Sequence, residues 1–221
     1  MSDESGSRDN EKDVAFGVIE VSSLDERHGQ MVLLDLLAIY VLHRLAVDPV
    51  RVEAGTWKRP INVDRIAPGP EPERREEARE IGWRGLSDLL DRCEAISDVI
   101  NQQEITGHAA IGIMLLLIHE LEGAVLDTML PIGSGSDYLV SVPGRDGRID
   151  VEVSGIRSGS AGEASSRLGK RTRDRLRGPG FVSVTTFQHG ESGEAHSYLH
   201  FVDPAAGVDR GQGKGKRGRR S

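Results

Sequence analysis

Apolar positions along the chain fall into two spacings, every second residue and every third or fourth, and the changes between them mark the elements. "VAFGVIEV" (14–21) alternates, with Val14, Phe16 and Val18 on one side, and predicts a strand. Ser22 or Ser23 then caps a helix from about Leu24 to Ala46, whose "DE" first turn suits the helix dipole. "VRVEA" (50–54) predicts a short strand. Residues 55–80 carry Pro60, Pro68, Pro70, Pro72 and the charge run "EPERREEARE", which read as a loop or partly helical connector with a solvated face. From Trp83 to about Gln103 the apolar residues Leu86, Leu89, Leu90, Cys93, Ile96, Val99 and Ile100 step by three and four, an amphipathic helix. A second helix, from about Thr106 to Met129, is apolar on most sides in its first half and ends at Pro131, Gly133 and Gly135. Two strands follow, split by "PGRDG" (143–147). A helix from about Ala161 to Arg177 comes next, closed by "GPG", and then strands over 181–188 and 197–202.

Over 107–202 this order is helix, strand, strand, helix, strand, strand. It predicts an α/β (α+β) fold: a short mixed sheet flanked by helices, joined to a mainly helical N-terminal half. The expected organisation is a disordered acidic N-terminus (1–12), a mainly helical region (13–105) with its connector at 55–80, an α/β core (106–203) and a disordered basic tail (204–221).

Charge changes the picture through its distribution. The net charge of −7 draws nothing acidic to the molecule as a whole. Residues 1–27 hold eight acids and three bases, whereas 210–221 hold six bases and no acid, so any nucleic-acid contact belongs to local basic segments. The single cysteine, Cys93, excludes an internal disulfide framework and a cysteine-built metal site. "MSDESGSRDNEKD" is unlike a signal or transit peptide. The apolar runs Met31–Leu42 and Ala109–Ile118 fall short of a bilayer span and read as buried helices, so a cytoplasmic location without a membrane partner is expected.

The candidate chemistry lies in the hairpin. Asp137 opens one strand, and Asp150, Glu152 and Ser154 occupy alternate positions of the next, on one sheet face. Carboxylates on a buried face are costly, so such a face is either wet or functional. With a four-residue loop, Gly144 to Gly147, Asp137 faces Ser154 and Glu152 faces Leu139. That puts the two acids on a diagonal of roughly 7–8 Å, within reach of one divalent ion. With an Asp146-Gly147 two-residue turn, Asp137 faces Ile156 and the acids are too far apart. The four-residue loop is the expectation, and Asp137 as a plain turn residue beside a wet hairpin face is the bland alternative.

"GSDYLV…IDVEVSG" resembles the core of the PD-(D/E)-x-K nuclease superfamily, the restriction-endonuclease-like fold, over about residues 107–190. In that family an Asp opens one strand and a Glu-x-Lys lies on the next. A helix that often carries a Glu precedes them, and a further helix and strand follow. The resemblance implies Asp137 and Glu152 as catalytic and Mg²⁺-holding residues, with Glu120 or Glu122 of "LIHELEG" as the helix acid. Ser154 stands where the family has its lysine, so Lys170 is the implied substitute, with Arg167 as the fallback. The activity implied is metal-assisted phosphodiester hydrolysis in nucleic acid, with genome defence or DNA processing as its setting.

The expected nucleic-acid contacts are Arg167 and Arg171 on the basic helix and Lys214, Lys216 and Arg217 in the tail. Two other readings stand beside this one. One is a catalytically inactive domain of the same fold that binds nucleic acid or protein. The other is a helical protein whose run Met31–Leu42 forms a homodimer face. "HELEG" is not a zinc-protease helix, because Gly123 occupies the second histidine position.

Overall fold

The computed structural model of the chain describes residues 17–20, 51–53, 56–69, 73–84, 102–131, 135–176, 178–189 and 194–203. Their elements run β1 (Gly17–Glu20), β2 (Arg51–Glu53), β3 (Thr56–Ile66), β4 (Arg74–Arg84), α1 (Gln102–Glu122), β5 (Val125–Met129) and β6 (Tyr138–Ser141). There follow β7 (Ile149–Gly159), α2 (Ala161–Arg175), β8 (Gly180–His189) and β9 (Glu194–Val202). The strands form one mixed sheet in the order β1-β4-β3-β9-β8-β7-β6-β5, with β2 also paired to β3. The fold is α/β.

Alternation along β7 explains the layering. Val151 and Val153 join the cluster built on α1, whereas Ile156 joins Val182, Val184 and Tyr198 beneath Ala164 of α2. Glu152 and Ser154, on alternate positions from the valines, meet α2 through Arg171 and Arg167. A strand covered on both faces buries nearly every residue, and β7 does so from Ile149 to Ser154. Gly155 lets α1 come close: a Cβ there would lie 2.5 Å from the carbonyl oxygen of Thr106.

α2 begins on Ser160, whose hydroxyl accepts the amide of Glu163 at 3.3 Å, an S-x-x-E start that sets the phase of the helix. Its four-residue spacing then aligns Arg167 and Arg171 on one face, towards β7.

Several expectations are corrected. The connector at 55–80 is a long antiparallel hairpin, β3–β4, and the described part of 13–105 consists mostly of strands rather than helices. Ile61 and Val63 alternate into the core, while Glu73–Arg75, Arg74–Glu76 and Glu77–Arg79 pair at a spacing of two, which is a strand spacing. β3 also pairs in parallel with β9, so these strands continue the sheet of the C-terminal half.

The apolar helix ends earlier than expected. Gly123, at φ 62°, terminates α1, with the amides of Gly123 and Ala124 bonded back to His119 and Ile118. Residues 125–129 are therefore a strand, and the order becomes helix, three strands, helix, two strands. From Gln103 to Glu122 this helix is long and apolar enough to cross a membrane, contrary to expectation, but 61% of that stretch is buried within the fold. It is a core helix.

The expected strands at 14–21 and 50–54 coincide with β1 and β2. The helix at 24–46, most of that at 83–103, Cys93, Met31–Leu42 and both termini lie outside the described residues.

Candidate functional site

The β6–β7 register is neither of the two foreseen. Tyr138 pairs with Val151 and Val140 with Ile149, and residues 142–148 make a longer connection, with Gly144 and Gly147 at positive φ. Asp137, just ahead of β6, donates its amide to the carbonyl of Val151 at 3.0 Å. Its carboxylate Oδ2 accepts the amide of Val153 at 2.9 Å. Asp137 is thereby fixed to the residues on either side of Glu152.

Glu152 is fully buried at 0% exposure. Its Oε1 accepts from Arg171 and lies 4.0 Å from Arg175 Nε, and its Oε2 has no hydrogen-bond partner. Burial first, and then the negative charge of Asp137, push its pKa up to about 7 against the pull of Arg171 and Arg175. Arg167 Nη1 donates to Gly155 O at 2.9 Å and to Ser154 Oγ at 3.4 Å. Asp137, Ser154, Arg157, Arg167 and Arg171 share a pocket of about 760 Å³. Gln103, Thr106 and Ile111 of α1 and Met129, which is 53% exposed, also line it.

No known protein family, curated protein or solved structure matches this chain.

The structure brings together Asp137, Glu152, Arg167 and Arg171. It does not bring Lys170 or Glu120 to them. Lys170 is exposed and absent from the pocket wall; Arg171, one position further round the helix, holds Glu152 instead. Glu120 is exposed in the last turn of α1, whereas the pocket is lined by the first turns, about 20 Å away along the axis. Glu122, the other helix acid considered, pairs with Arg65 at 2.7 Å. Lys214, Lys216 and Arg217 lie outside the described residues.

Sequence reasoning missed Arg171 as the partner of Glu152. A signal for it existed: Ala164 and Leu168, apolar residues of a basic helix, set a phase that favours 167 and 171 over 170.

Among the described residues no group of three or more His, Cys, Asp or Glu side chains is arranged for a metal. Two carboxylates are nonetheless a sufficient protein contribution for Mg²⁺, which is commonly held by one or two carboxylates with water and substrate phosphate. Asp137, which lines the pocket, and Glu152, whose buried Oε2 has no hydrogen-bond partner, are the two carboxylates that would hold such an ion.

Proposed function

We propose that this chain is a divalent-metal-dependent, nuclease-like protein that hydrolyses phosphodiester bonds in nucleic acid. The observation that carries the reading is the pairing of Asp137 with the buried Glu152 beside a pocket walled by Arg167 and Arg171. The sequence of α1, β5, β6, β7, α2 and β8, with one acid ahead of β6 and the other within β7, is consistent with the resemblance to the PD-(D/E)-x-K superfamily.

Asp137 and Glu152 would hold Mg²⁺, which supplies a Lewis acid to lower the pKa of a water and offset charge on the phosphate. Arg167 stands in for the missing lysine: its guanidinium, anchored on Gly155 O, presents remaining N–H groups to phosphate oxygens. Burial beneath α2 keeps the Glu152 carboxylate away from bulk water and so sensitive to a nearby cation. Lys170 and Arg173, exposed on α2, supply further contacts to the nucleic-acid backbone. The basic tail would do the same in a sequence-independent way.

A second reading is a catalytically inactive domain that binds nucleic acid through the same arginines. Ser154 in the lysine position and the existing Arg171–Glu152 pair favour it. Incubation of duplex DNA, single-stranded DNA and RNA with Mg²⁺ or Mn²⁺ separates the two, run beside Asp137→Asn. Metal-dependent cleavage lost in the variant supports the nuclease; retained binding without cleavage in any metal supports the binding module.

A further inference from the structure

We propose that Arg171 changes partner when nucleic acid binds: it neutralises Glu152 in the free protein and moves to a phosphate in the complex, which releases Glu152 to the metal. The inference rests on the reading of Asp137 and Glu152 as the metal-holding pair.

Three observations lead to it. Glu152 is fully buried next to the residues that Asp137 bonds, and Arg171 donates to its Oε1, so Arg171 is the counter-charge whenever the carboxylate is ionised. A guanidinium and a divalent cation on the same carboxylate repel each other, which weakens metal binding for as long as Arg171 stays. Arg171 is also able to leave. Its side chain is 32% exposed and lines the pocket, and a phosphate offers the planar fork the same pair of oxygens that a carboxylate does.

The neighbouring arginines do not share this role. Arg167 bonds the carbonyl of Gly155 and the hydroxyl of Ser154, neutral groups with no metal to receive, so it stays in place. Arg175, 4.0 Å from Glu152 Oε1, keeps some positive charge near the buried acid while Arg171 is away.

The consequence is positive coupling. Metal and nucleic acid each strengthen the binding of the other by the same factor, because both favour the state in which Arg171 has left Glu152.

Calorimetric titration of the full chain with Mn²⁺ tests this, alone and with a short DNA duplex carrying charged but non-hydrolysable linkages. For the native protein the duplex is expected to tighten Mn²⁺ binding by between about 5- and 150-fold. For Arg171→Met, Mn²⁺ is expected to bind the free protein about as tightly as it binds the native complex, with little added by the duplex.

If Mn²⁺ binds the native protein equally with and without duplex, and Asp137→Asn abolishes it, the metal pair stands and the partner exchange is wrong. If Arg171→Met binds Mn²⁺ no tighter than native while duplex still tightens it, the coupling comes from the phosphate alone and the role of Arg171 is refuted. Absence of Mn²⁺ binding under every condition overturns both readings. The native titrations need no variant. Should Arg171→Met fail to fold, the uncharged Arg171→Gln serves in its place, and coupling as large as native would count against the exchange.

Discussion

Asp137 holds the backbone on both sides of Glu152, through its amide to Val151 O and its carboxylate to Val153 N. One acid therefore fixes the strand that carries the other. Burial first, and then the negative charge that this contact brings near it, push the Glu152 carboxyl up to about 7.

Asp137→Asn and Asp137→Ala separate the two duties of that residue. The amide oxygen of asparagine still accepts from Val153, so Asp137→Asn should unfold near the native midpoint while losing metal-dependent cleavage. Asp137→Ala should lose activity and also about 1–2 kcal/mol of stability, measured by urea denaturation.

Glu152 should make stability depend on pH in a predictable sense. Its folded pKa, about 7, is above the unfolded value of 4.5, so the folded state binds the extra proton between them. Its contribution is fully present below pH 4.5 and is lost as pH rises to about 7. The difference is on the order of 3 kcal/mol. Denaturation in chelator across that range should show the native protein losing stability relative to Glu152→Gln; parallel profiles would contradict it.

Asp64 offers a case of opposite sign. It is 1% exposed, and Arg74 grips it through both Nε and Nη2 while His200 Nε2 lies 3.2 Å away. Burial alone would raise its pKa, but the hydrogen bonds from Arg74 and then His200 outweigh that and hold it below the usual 3.8. Its contribution is present above that value and is lost as pH falls through the lower folded pKa. Arg74→Met should shift acid unfolding to higher pH, seen by circular dichroism.

Gly155→Ala tests the fit of α1 on β7. The added Cβ would meet the Thr106 carbonyl at 2.5 Å and Ala110 Cβ at 3.1 Å, and backbone cannot yield as a flexible side chain does. A loss of about 1–3 kcal/mol is expected from thermal unfolding. Because Thr106 and Gly155 line the pocket, nucleic-acid affinity should fall as well.

How much was legible followed from what each signal depends on. Val151 and Val153 alternating with Glu152 and Ser154, and the basic helix closed by "GPG", are local patterns, so a strand through 150–154 was legible and α2 and β8 could be read close to their true bounds. The end of α1 at Gly123 was hidden because Val125 and Leu126 continue the apolar run, and apolarity does not distinguish a buried helix from a buried strand. In β3 and β4 the prolines and charges masked a period-two pattern that Ile61, Val63 and the Glu77–Arg79 pair do contain.

The sequence by itself determined that one acid, at 137, would stand at the head of a strand and the other, at 152, within the next, with a basic helix after them. Only the tertiary structure decided what meets them. The β6–β7 register leaves a seven-residue connection in which Gly144 and Gly147 take positive φ, a loop that strand patterning does not predict. The cation at Glu152 is Arg171 rather than Lys170, because a single step along a helix turns a side chain by about 100° and packing against β7 fixes that angle. The acid in the last turn of α1 lies far from the pair because the helix lays its first turns, not its last, over Gly155. Distances between residues far apart in the chain are properties of packing, and packing is where charge, burial and reach become a site.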